Sequence, residues 1–79
     1  MLHFIALVDG DVALGLWSTR DKARAARWGM ELSLTYPRCS VMIVQAASLA
    51  GARAQLATVE LNDLSPEPVG RGARAPTSA

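Results

Sequence analysis

The chain has 79 residues and a mass of 8.4 kDa, room for one domain with one small core and not for two. About half of its residues are hydrophobic (51%), 19% are charged and the net charge is +1. That balance excludes an intrinsically disordered composition and speaks against both a strongly basic nucleic-acid binder and an acidic mimic of nucleic acid. One cysteine and one histidine exclude an internal disulfide framework and a closed zinc site.

The opening predicts a β-hairpin. Leu2–Val8 and Asp11–Trp17 flank Asp9-Gly10, a pair suited to the positive φ angles of a two-residue type I′ turn. Phe4, Ile5, Val8, Val12 and Trp17 are strand formers. Both arms are apolar on both of their faces, whereas a hairpin with one wet face shows polar residues at every second place. Something therefore covers both sides.

A helix is expected from Arg20 to Thr35. Ser18-Thr19-Arg20-Asp21 offers a hydroxyl cap with a carboxylate three residues on, a variant of the capping box. Asp21 also suits the positive end of the helix dipole. The segment lacks proline and is rich in Ala, Arg, Leu and Met, and Pro37 stops it. At about 100° per residue two apolar stripes emerge. Ala23, Ala26, Met30 and Leu34 form one; Ala25, Trp28, Leu32 and Tyr36, beside Gly29, form the other. Arg20, Arg24, Arg27, Glu31 and Thr35 lie in the polar arc between them. A single sheet covers one stripe of about 100°, so the aromatic stripe has no obvious partner within so short a chain.

After Pro37, the run Val41-Met42-Ile43-Val44 within Cys39–Ala47 reads as a central strand buried on both faces. Ser48 to Leu64 is open to two readings: a turn at Ala50-Gly51 with a strand over Gln55–Leu61, or a helix with Leu49, Ala52, Leu56 and Val59 on one face. Thr58, Val59 and Leu61 favour the strand. From Ser65 the composition shifts to proline, glycine and small residues, as in a flexible tail. The expected architecture is α+β, in two layers: a hairpin, one long helix and one or two further strands, with a single domain over 1–64 and a tail over 65–79.

No residue constellation points to catalysis, a cofactor or a metal. Cys39 and His3 lie on separate expected strands without a third orienting residue. Asp9 and Asp11 are explained by the turn, and Ser18 by helix capping. Arg20, Arg24 and Arg27 recur on one helix face and suit an acidic protein partner or phosphates, against which stand Asp21, Glu31 and the small net charge. Trp28, Leu32 and Tyr36 have the character of interface anchors. They make a partner surface, and association as a homodimer, the favoured expectation. No segment reaches the roughly 18–20 apolar residues of a membrane span, and no basic region precedes Leu2–Val8 as in a signal peptide. A free Cys39 fits a reducing cytoplasm. Seven arginines to one lysine and fourteen alanines suggest GC-rich codons and a bacterial or phage source.

The stretch VDGDVALGLWSTRDKARAARWGMELSLTYPRCSVMIV resembles compact hairpin–helix–strand units common in small proteins of phages and mobile elements. In size and simplicity the chain, over Leu2 to Leu64, resembles the anti-CRISPR inhibitors of multi-subunit (type I) CRISPR effectors. These share no common motif, so no family residue maps onto this sequence. The resemblance implies a stoichiometric inhibitor that binds a surveillance complex or its nuclease and blocks target DNA or recruitment, by occlusion rather than charge mimicry. The expected function is a non-enzymatic protein–protein interaction module of this kind, centred on Arg20, Arg24, Arg27, Trp28, Leu32 and Tyr36. The alternatives are a small nucleic-acid-binding accessory protein using the arginines, or a phage structural or assembly subunit.

Overall fold

A computed structural model describes residues 1–61 and 64–69. In chain order it contains β1 (Leu2–Asp9), β2 (Val12–Thr19), α1 (Lys22–Thr35), β3 (Ser40–Ala46), α2 (Leu49–Gln55) and β4 (Glu67–Pro68). The fold is α+β. One sheet has the order β3-β1-β2-β4, with β1 antiparallel to both neighbours and β2 parallel to β4.

The hairpin forms with its turn one residue later than expected. Asp9 pairs with Val12, so the loop is Gly10-Asp11, and Gly10 takes a φ of 66° that glycine adopts without steric cost. Leu7 opposes Gly15 while Val8 opposes Ala13, which leaves Leu14 as the extra residue of a β-bulge. Its side chain is exposed, whereas Ala13 and Gly15 on either side are buried.

Pairing with β1 continues through Ser18 and Thr19, so β2 still holds the residues expected to cap the helix. The cap is Asp21, not Ser18. The Asp21 side chain accepts hydrogen bonds from the backbone N–H groups of Ala23 (2.9 Å) and Arg24 (3.2 Å), and Thr19 Oγ1 accepts from Asp21 N–H (3.1 Å). At the other end Tyr36 N–H donates to Leu32 O at 2.8 Å, and Pro37 follows.

Residues Phe4 to Leu7 of β1 are between 0 and 1% exposed. Their side chains alternate between two clusters on opposite faces. Ile5 and Leu7 join Trp17, Ala25, Trp28, Leu32 and Val69 beneath α1. Phe4, Ala6 and Val8 join Leu16, Ala46, Ala52, Leu56 and Leu61 beneath α2 and the segment after it. The expected cover on both faces is present, and α2 adds a third layer to the two foreseen.

Three expectations are corrected here. The central strand is β1; the Val41–Val44 run lies on β3, at the sheet edge, with Val41, Met42 and Val44 half-buried and Ile43 exposed. No strand forms over Gln55–Leu61: α2 ends at Gln55 and a turn and loop follow, yet the residues of the alternative helical face do pack inward, Ala52 and Leu56 buried, Leu49 and Val59 half-buried. Ser48 Oγ caps it by accepting from Gly51 N–H. The β-branched content beyond it serves a loop in which Glu60 N–H donates to Asp11 O and Glu60 O accepts from Ala13 N–H. Lastly, Ser65–Val69 is not a free tail. Glu67 and Pro68 pair with Trp17 and Ser18, and Val69 is buried at 6%. Residues 70–79 of the expected tail lie outside the described residues.

Gly15 and Gly29 should respond differently to an added methyl group. A Cβ on Gly15 would lie 2.5 Å from Cη2 of Trp17, whose buried ring stacks edge to face on Trp28. We expect Gly15→Ala to cost about 1–3 kcal/mol, the usual penalty of overpacking. A Cβ on Gly29 would lie 2.9 Å from Cδ1 of Ile43, the free end of a half-exposed side chain. Its displacement offsets a gain in helix propensity of about 1 kcal/mol, and Gly29→Ala should leave stability within about 1 kcal/mol of the parent. Urea denaturation checks both; a Gly15→Ala chain as stable as the parent would refute the placement of Trp17.

Candidate functional site

The two stripes on α1 have exchanged the roles expected of them. Ala25, Trp28, Gly29 and Leu32 face the sheet, with Trp28 3% and Leu32 0% exposed. Tyr36 is half-buried and packs on the same cluster. These residues complete the chain's own core, so an uncovered docking surface on that stripe is ruled out. The physical reason is the sheet beneath: Ile5, Leu7 and Trp17 form a floor for large side chains, and the Trp17 and Trp28 rings meet 5.4 Å apart at 73°. Trp28 Nε1 is buried with no hydrogen-bond partner among the described residues.

The surplus of apolar circumference persists on the opposite side. Ala23, Ala26, Met30 and Leu34 all point outward, Met30 at 66% and Leu34 at 78% exposure. Arg27 and Glu31 border this stripe on one flank, Ser33 on the other. Two large unbranched or γ-branched side chains one turn apart, following two alanines on the same line, form a shallow apolar ridge on the solvent side of the helix.

The three arginines do not act as one track. Arg20 precedes the helix, in the bend between β2 and the Asp21 cap. Arg24 turns towards the chain's own C-terminal segment, its Nη1 donating to Val69 O at 3.4 Å. Val69 N–H in turn donates to Ser18 O at 3.0 Å, so Arg24 straps Ser65–Val69 onto the edge of β2. Arg27 is exposed beside the apolar ridge.

His3 is buried at 8%, not on the surface, and its Nδ1 lies 3.4 Å from Gln45 Nε2. Cys39 is half-buried near the opposite end of the same ladder, where Val8 pairs with Ser40. About five strand residues, roughly 17 Å, separate the two, and no thiolate–imidazole pair forms. Asp9 and Asp11 are exposed at the hairpin tip. Among the described residues no group of three or more His, Cys, Asp or Glu side chains comes together. A shallow cleft of about 120 Å³ lies between Leu14–Trp17 of β2 and Leu64, Ser65 and Glu67. It is well below the roughly 300 Å³ at which small-molecule sites begin. No described helix is long and apolar enough to cross a membrane.

No protein-family model matches the chain, and neither a curated protein nor a solved structure does. The surface features are therefore read from this chain alone. Sequence reasoning passed over two of them, Leu14 and Ile43. Leu14 breaks the alternation because of a bulge that residue types do not announce. For Ile43 the sequence held no signal: no charged residue lies between Arg38 and Arg53, so nothing marked either side of β3 as wet.

The burial of Trp28 changes what its substitution should do. Trp28→Ala removes the largest side chain joining α1 to the sheet and should cost about 3–5 kcal/mol, enough to unfold so small a domain. Circular dichroism should show loss of both helix and sheet signal. A folded Trp28→Ala chain with altered association only would restore the aromatic stripe as an external surface.

Proposed function

We propose that the chain is a non-enzymatic interaction module that binds another protein through the outward face of α1. The observation that carries this is the exposed line Ala23, Ala26, Met30 and Leu34, directly opposite the buried stripe. Large apolar side chains in register on a helix are the anchors by which a helix enters a partner's groove, at i, i+3, i+4 and i+7 spacing. Arg27 and Glu31 on the rim supply orientation rather than affinity, since charges in exposed rims contribute little to binding energy. The face is thus apolar at its centre and polar at its border, as protein interfaces are.

The finer form of the proposal is a phage-type inhibitor acting in the bacterial cytoplasm, occluding a type I CRISPR surveillance complex. It rests on the resemblance in size and hairpin–helix–strand form, and a plasmid-interference assay in a host carrying such a system tests it.

The module itself is tested by the double variant Met30→Asp, Leu34→Asp. Both positions are exposed, so the fold should persist, with stability lowered by about 1–2 kcal/mol through helix propensity and the helix dipole. Binding partners retained from a bacterial lysate by the parent chain should be lost, with affinity for an isolated partner falling at least about tenfold. Retention of the same partners by the folded double variant would overturn the assignment to this face.

A further inference from the structure

We propose that the chain forms a two-fold dimer in which the free edge of β3 pairs antiparallel with β3 of a second copy, centred on Ile43. This is independent of any partner for Met30 and Leu34. The outward direction of the β3 backbone follows from three hydrogen bonds. Val69 N–H donates to Ser18 O, so the backbone of Ser18 faces away from β1. Its partner Phe4 then turns its N–H and C=O towards β3 and bonds Val44. By alternation Val41, Ile43 and Gln45 direct theirs to the open side, and Gln45 O accepts there from Gln55 Nε2. Among the described residues no strand pairs with this edge.

The two ends of the sheet differ in a way that singles out β3. Beyond β2 the edge is closed by a two-residue strand set between Pro66 and Val69, with Pro68 within it and Glu67 on it, and by the bridge of Val12 to Glu60. Prolines, charges and short strands are the usual devices that keep an edge from pairing with another chain. β3 has no proline and no charge, and among the described residues only the Gln55 side chain, at its Gln45 end, reaches its open side. Ser40–Ala46 is seven residues long, with a regular register against β1.

A second copy fits this edge better than an unrelated strand. A two-fold axis through Ile43 sets Ile43 opposite its own copy and Val41 opposite Gln45. The outward N–H groups of all three residues and the C=O groups of Val41 and Ile43 then meet a partner, while Gln45 O, already accepting from Gln55 Nε2, has only its second lone pair to offer. The Ile43 side chain, 46% exposed although it touches the underside of α1 at Gly29, becomes covered by its symmetry mate. α1 lies over β3 and β1 and reaches β2 through the Trp28–Trp17 contact. Pairing at the usual 4.8 Å or so would set the two α1 helices on the same face of one continuous sheet. The flank of α1 on that side begins with Lys22 and continues with the small residues Ala26, Gly29 and Ser33. One symmetry operation thus engages the open backbone and covers Ile43, while Ala23 and Leu34 stay outward.

Analytical ultracentrifugation of the full chain from low to high micromolar concentration tests this, alongside amide exchange at Val41 and Ile43. The mass should rise from 8.4 kDa towards twice that value, with the Ile43 amide protected only in the dimer. Ile43→Lys places like charges directly opposite each other and should weaken association at least about tenfold. Gln45→Pro removes an outward N–H and leaves the backbone ladder to β1 intact, at the loss of the Gln45–His3 side-chain contact, and should weaken it as well. Leu34→Asp should leave it unchanged. A single 8.4 kDa species throughout, a dimer indifferent to both edge variants, a dimer abolished by Leu34→Asp, or an Ile43 amide already protected in the monomer would each overturn the proposal.

Discussion

The burial of β1 on both faces and both edges is the constraint from which the remaining structure follows. Its backbone is satisfied by β2 on one side and β3 on the other, and Phe4, Ile5, Ala6 and Leu7 have no more than 1% of their surface in contact with water. Because successive side chains of a strand point to opposite faces, a strand of this composition requires two covers. α1 supplies one with Ala25, Trp28 and Leu32, and α2 with Leu56 and Leu61 supplies the other. Each cover is thin, as it must be in 79 residues. The large aromatic pair Trp17 and Trp28 compensates on the α1 side by filling volume that several smaller residues would otherwise have to fill.

Much of this was legible from residue types. The two-sided apolar character of Leu2–Val8 foretold cover on both faces, and the span of the helix and its stop at Pro37 were readable from composition and breakers. What could not be read was choice between equals. Two apolar stripes on α1 satisfy the same periodicity, and only the shape of the floor formed by Ile5, Leu7 and Trp17 selects the aromatic one. Likewise the continuous apolar run of β3 has the signature of a central strand, yet β1 occupies that position because the hairpin partner β2 already holds its other side. Periodicity reports which faces a segment can bury, not which neighbour arrives first.

The second helix and the C-terminal segment escaped for a related reason. Leu49, Ala52, Leu56 and Val59 fit a helix, while Thr58, Val59 and Leu61 fit a strand, and a window of a dozen residues cannot separate the two. The open face of Phe4, Ala6 and Val8 decides it, since a short helix covers that face where another strand would only extend the sheet. Val69 is a single apolar residue in a proline-rich stretch, and its burial depends on the Trp17 ring and the Arg24 guanidinium, both distant in sequence. Long-range contacts of this kind leave no local trace.

Gly29 links the interior of the molecule to its exposed edge. At this position, without a Cβ, α1 packs closely on Val41 and Ile43, while its contacts with β2 are fewer than those with β3 and β1. The space left over β2 is taken by Val69, held by Arg24, and that same segment closes the β2 side of the sheet. A helix displaced towards one edge and a strap laid along the other leave the molecule with two unlike sides. One is finished by the chain's own C-terminal residues. The other combines the outward backbone of Val41 and Ile43 with the half-exposed Ile43 side chain, features that an identical neighbour related by two-fold symmetry would meet in complementary positions.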